Sequence, residues 1–128
     1  MIILDASALI AHFTPGDAHA SSALEILDTE EELALHFLTL AEILVHPAKV
    51  GVERTIHKAL DALGIMQLPV TPDEPSRIAR IRATTSLRMP DACVLAAALH
   101  HRASLATFDA HLARVAKDNG VTTPEFFD

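Results

Sequence analysis

Residues 1–10 of the chain read MIILDASALI, and the order of residue types in that stretch decides the fold. Ile2, Ile3 and Leu4 form an apolar run without the polar alternation of a strand exposed on one face. The run therefore predicts a short strand buried on both sides. Asp5 ends it, and 7–13 reads at once as a helix. A strand that passes straight into a helix opens a β-α unit, and the same change recurs down the chain. Segment 33–36 leads to a helix that opens at Thr39 and runs to Pro47 or beyond. Segment 65–70 leads to a helix over 77 to about 87, then to another over 90–101 that starts at Pro90. Segment 104–107 leads to a helix over 110–119. Helices over 18–28 and 52–63 fill the remaining connections, with Pro15-Gly16-Asp17, Gly64 and Gly120 as turn and stop signals. Segment 121–123 predicts a short last strand. Strands alternating with helices imply a three-layer α/β/α domain around a central, mostly parallel sheet of four to five short strands.

Half of the 128 residues are hydrophobic and 21% are charged, which predicts one folded domain over 1–128. Trp and Tyr are absent, and the five Phe residues do not supply the exposed rings of a base-stacking platform. The single cysteine, Cys93, excludes an internal disulfide and thiol-based zinc motifs, and its Ala/Leu-rich surroundings predict a buried core position. No basic leader precedes the first strand, and no apolar run approaches a membrane span, so a soluble chain of the cytoplasm is expected. None of the eight histidines follows a zinc-ligand pattern.

Four acids stand where an apolar stretch gives way to a helix start: Asp5 in IILDASALI, Glu42 in LTLAEIL, Asp91 in RMPDACVLAAAL and Asp109 in SLATFDAHLARVA. Each has an ordinary structural role open to it. Asp5 and Asp109 can cap the helices that follow, Thr39 to Glu42 has the form of a capping box, and Asp91 falls in a first turn after Pro90. Their place in the topology adds a second role. Open α/β sheets bind ligands outside the carboxyl ends of their strands, where Asp5, Glu42 and Asp109 fall. Carboxylates crowded there raise one another's pKa and call for a cation. Oxygen-only donors suit Mg²⁺ or Mn²⁺, and such a site suits metal-assisted hydrolysis of a phosphodiester.

The four blocks LDASALIA, LTLAEIL, LRMPDACVLAAAL and LATFDAHLARVA, in that order and over essentially the whole chain, resemble PIN-domain ribonucleases. Within them the chain is similar to the toxins of VapBC-type toxin–antitoxin pairs. The resemblance implies a PIN-like fold and RNA cleavage dependent on Mg²⁺ or Mn²⁺ held by Asp5, Glu42, Asp91 and Asp109. It implies supporting roles for Ser7 and Thr107, a homodimer, and a VapB-type antitoxin that wraps the toxin and inserts a basic side chain into the pocket. Phe37 and Phe108 depart from the small or polar residues usual at their positions, and Phe108 is expected to affect the choice of RNA.

Formal net charge is −7, yet 75–90 contains no acid and holds Arg77, Arg80, Arg82 and Arg88. That stretch is either a solvated helix face or a positive strip that holds an RNA backbone. Two rivals to the nuclease remain. One is a degenerate PIN module that binds RNA or protein without cutting. The other is a phosphatase of the haloacid-dehalogenase kind, whose motif needs a second Asp where this chain has Ser7.

Overall fold

The computed structural model describes residues 1–124. In chain order the elements are β1 (Ile2–Leu4), α1 (Ala6–Phe13), α2 (Ala20–Leu27), β2 (Leu33–Leu35), α3 (Phe37–Lys49), α4 (Glu53–Ala62), β3 (Ile65–Gln67), α5 (Glu74–Thr84), α6 (Met89–His101), β4 (Ser104–Ala106) and α7 (Ala110–Asp118). The strands form one sheet in the order β3-β2-β1-β4, and every pairing is parallel.

Side chains alternate across a strand, so each short strand feeds two cores. Ile2 and Leu4, Leu33 and Leu35, Ile65 and Ala106 pack with Leu9, Ile26, Ile43 and Leu60 from α1 to α4. Ile3, Ala34 and Leu105 point the other way, against Ile81, Leu95, Leu112 and Ala116 from α5, α6 and α7. This is the three-layer α/β/α architecture, with helices on both faces of the sheet.

The chain moves outward from β1 to β2 to β3, then returns across to place β4 on the other side of β1. The order of connection thus reverses between β1 and β4, and the carboxyl ends of these two strands diverge into α1 and α7. Such a switch point leaves a crevice between the two connections.

Several expectations shift. The helix expected from Thr39 begins two residues earlier, because His36 caps it: the ring Nδ1 accepts from Leu38 N at 3.0 Å. Thr39 is buried within α3, so no capping box joins it to Glu42. Segment 121–123 forms no strand; only Thr122 reaches the sheet, its carbonyl accepting from Leu105 N at 2.9 Å. β3 stops at Gln67, ahead of Pro69. Among the described residues no helix is long and apolar enough to cross a membrane.

Candidate active site

Asp5 follows β1 and occupies the cap position of α1, but its side chain makes no cap bond. It is buried, and its Oδ2 accepts instead from Ser7 Oγ at 2.8 Å and from Thr107 Oγ1 at 2.7 Å. Each hydroxyl has one proton and spends it on that oxygen. The 3.2 Å approach of Ser7 Oγ to Thr107 Oγ1 is therefore proximity, not a third bond. Both hydroxyls also accept: Ser7 Oγ from Phe108 N at 2.9 Å, and Thr107 Oγ1 from Asp109 N at 3.0 Å. Backbone joins the two sides as well, with Asp5 N donating to the Ala106 carbonyl. The network thus ties the end of β1 to the end of β4 and leaves Oδ1 of Asp5 without a partner among the described residues.

Asp109 is the true cap of α7, its Oδ1 accepting from His111 N at 2.9 Å and Leu112 N at 3.1 Å. Asp91 is buried in the first turn of α6, where the helix dipole favours its negative form. Glu42 stands in the second turn of α3 and is exposed.

The four acids share one field. Burial raises the Asp91 carboxyl above its usual range, and Asp5 and Asp109 raise it further, while Arg88 works against the shift. Glu42 is raised too, first by partial desolvation of its carboxyl despite the exposed position of the residue, then by Asp5 and Asp91, with Arg88 opposing. Arg88 Nε lies 3.9 Å from Asp91 Oδ2, the outer limit of an ion pair. These acids are coupled without touching: among the described residues no three His, Cys, Asp or Glu side chains close into a metal cage. An open set of carboxylates fits Mg²⁺ or Mn²⁺, because Mg²⁺ keeps several waters and needs only one or two carboxylates. Softer ligands do not intrude. Cys93 is buried and its thiol is pushed up to about 11, by burial and then by Glu74 and Glu42.

The four arginines of the acid-free stretch go to different places. Arg77 pairs with Asp73, holding that carboxyl down at about 2, and donates to Thr71 Oγ1. Arg82 Nη1 donates to the Leu87 carbonyl and closes the turn from α5 to α6. Arg80 lies with Arg77 beside Leu99 and His100, at the other end of α6. Of the four, Arg88 alone acts on the acids. The helix begins at Glu74, ahead of the arginines, so the stretch is not one uniform basic face.

Two features had no clear signal in the sequence. Nε2 of His36 meets Glu74 of α5 in a short bond; since Nδ1 already accepts a backbone proton, the ring is neutral and Nε2–H is the donor. Phe108 stacks on His19 with ring centroids 4.4 Å apart, packing the start of α2 against the loop that carries Asp109.

The family model for the PIN domain matches residues 2–118. Among solved structures, a toxin–antitoxin complex from Klebsiella pneumoniae is 28% identical with a TM-score of 0.78, covering 99% of this chain and 100% of that one. VapC20 of Mycobacterium tuberculosis, a sarcin–ricin-loop-cleaving toxin, is 17% identical with a TM-score of 0.72, over 90% of this chain and 95% of that one. VapBC2 from Rickettsia felis, bound to a promoter DNA fragment, is 15% identical with a TM-score of 0.72, over 97% and 98% of the two chains. At these lower identities the likeness is one of fold. No curated protein matches the sequence.

Proposed function

The chain belongs to the PIN-domain family, and on that premise we propose that it is a metal-dependent endoribonuclease of the cytoplasm, the toxin of a VapBC-type pair. The observation that carries this reading is the electrostatic coupling of Asp5, Glu42, Asp91 and Asp109 at the β1–β4 switch point. Asp5 is fixed by two hydroxyls through one oxygen, which leaves the other for a ligand. Asp91 and Glu42 present raised carboxyls that a cation would hold ionised. When bound, Mg²⁺ or Mn²⁺ supplies an activated water and stabilises charge on the phosphodiester. Ser7 and Thr107 keep Asp5 in place, and helix starts at Asp91 and Asp109 favour the anionic pocket.

The toxin role is supported by the Klebsiella complex, which matches over both full lengths. A protein partner is also supported by a groove of about 410 Å³ beside Glu42, lined by Ile10, Phe13, Ile43, Val50 and Val52. We take its occupant to be the antitoxin, reaching from there to the acids, and we take the active form to be a homodimer. Retention of all four acids favours an enzyme over a degenerate binding module.

Asp91→Asn tests the reading. The purified variant is expected to keep its melting transition and lose Mn²⁺- or Mg²⁺-dependent cleavage of total RNA by at least about 100-fold, the scale of losing one positioned catalytic group. Cleavage at the wild-type rate by this variant overturns the assignment. Binding of metal and RNA by the wild type without any cutting would return the chain to the non-enzymatic reading.

A further inference from the structure

The turn from α5 to α6 is fastened on several sides. Thr85 Oγ1 donates to the Ile81 carbonyl at 2.7 Å and accepts from Leu87 N at 3.3 Å, and Arg82 holds the Leu87 carbonyl. Ser86 Oγ meets His111 Nε2 of α7 at 3.0 Å. Arg88 comes directly after this fastened stretch, yet its side chain is 78% exposed. An arginine that served only to neutralise Asp91 would form a bidentate pair at roughly 2.7–2.9 Å. Here Nε stands 3.9 Å away, and the Nη donors make no hydrogen bond among the described residues.

On the α7 side, Arg114 Nη2 lies 3.1 Å from His111 Nδ1. A guanidinium can only donate, so Nδ1 accepts, and the single proton of the ring sits on Nε2, where it is given to Ser86. His111 is thus a neutral strut from the turn to α7, with a guanidinium at each end: Arg88 by the turn and Arg114 on the helix. Neither 75–90 nor 110–117 contains an acid. In a chain of net charge −7, this places exposed Arg88 immediately beside the acids and links it through Ser86 and His111 to exposed Arg114 on α7.

A substrate polyanion faces repulsion from four carboxylates and must be held by something other than the metal while it approaches. Guanidinium groups with unspent donors on a fixed backbone suit phosphate oxygens. Resting on the nuclease reading above, we propose that Arg88 and Arg114, set apart by the Ser86–His111 strut, form a phosphate-binding rim. The rim takes the RNA backbone next to the cleaved position, so the strand enters the acidic pocket along its α6–α7 side. Arg77 and Arg82, engaged with protein groups, and Arg80, at the far end of α6, lie outside this path.

The test is binding of a fluorescein-labelled, mixed-sequence single-stranded RNA in EDTA over a range of salt, with cleavage in Mn²⁺ followed in parallel. Each phosphate contact on single-stranded RNA contributes about 0.7 to the salt slope. Arg88→Ala and Arg114→Ala are each expected to weaken binding several-fold and lower the slope by about that amount, and Arg114→Lys to retain it. Arg80→Ala removes the same charge and is expected to leave the slope unchanged. Slopes for Arg88→Ala and Arg114→Ala equal to wild type, in a protein that still cuts RNA, overturn the rim and leave the nuclease standing. Equal losses in all three alanine variants also overturn it, since that pattern reflects overall charge. If the wild type neither binds nor cuts RNA, the nuclease reading itself falls and the rim with it.

Discussion

Thr107 carries one hydroxyl and uses it twice, donating to Asp5 Oδ2 and accepting from Asp109 N, so one side chain sets the positions of the first and last acids. Thr107→Val keeps the shape and removes both bonds. It is expected to cost about 1–3 kcal/mol, the range for leaving a buried polar group unpartnered, read as a lower urea midpoint at constant slope. Thr107→Ser is expected to recover most of that loss. A valine variant as stable as wild type would mean that Ser7 alone holds the carboxylate. In the sequence, all four acids stand out because each interrupts an apolar run at a helix start. Which of them act as caps is not legible there. Asp5 and Asp109 occupy equivalent positions, yet only Asp109 caps with its side chain, because β4 brings Thr107 to Asp5 from the far end of the chain. The histidines were equally opaque, since a ring nitrogen takes its role from whichever donor the fold places against it.

At the level of elements, α3 is held by a residue that rarely serves as a cap. His36 accepts the Leu38 proton on one nitrogen and donates to Glu74 with the other, joining the start of α3 to the start of α5. His36→Ala removes the cap, typically worth about 1 kcal/mol, and strips a nearly buried carboxylate of its donor. The combined loss is expected to exceed that of Glu74→Gln, and the double variant to fall short of the sum, because both singles break the same bond. Additive losses in urea denaturation would show that the two ends are stabilised independently. This arrangement also explains why α3 begins two residues before Thr39: a Thr-x-x-Glu pattern resembles a capping box, but the fold buries Thr39 and supplies another acceptor. The strands were plain from their apolar runs, apart from 121–123, where a single bond to Leu105 satisfies an edge without building a ladder.

For the molecule as a whole, charge and topology meet at the switch point. Glu42 and Asp91 have folded-state carboxyls raised above their unfolded values. Their contribution to stability is therefore complete below about pH 4, near the unfolded values, and is lost as pH rises through the raised ones. In EDTA, Glu42→Gln is expected to melt with the wild type at about pH 4 and above it at about pH 7.5. Mn²⁺ is expected to reverse that order at the higher pH, since a cation stabilises the wild-type cluster more. A melting difference that ignores both pH and Mn²⁺ would mean that Glu42 neither feels its neighbours nor meets a metal. The placement of β4 has one more consequence. Its partner β1 leaves the ribosome before the other strands of this sheet, while Thr107 and Asp109 come more than a hundred residues later. At roughly 5–20 residues per second, the nascent chain spends seconds without β4 and with Asp5 lacking its Thr107 partner. On the reading proposed above, the growing chain cannot cut RNA until β4 has joined β1 and brought Asp109 to the other acids.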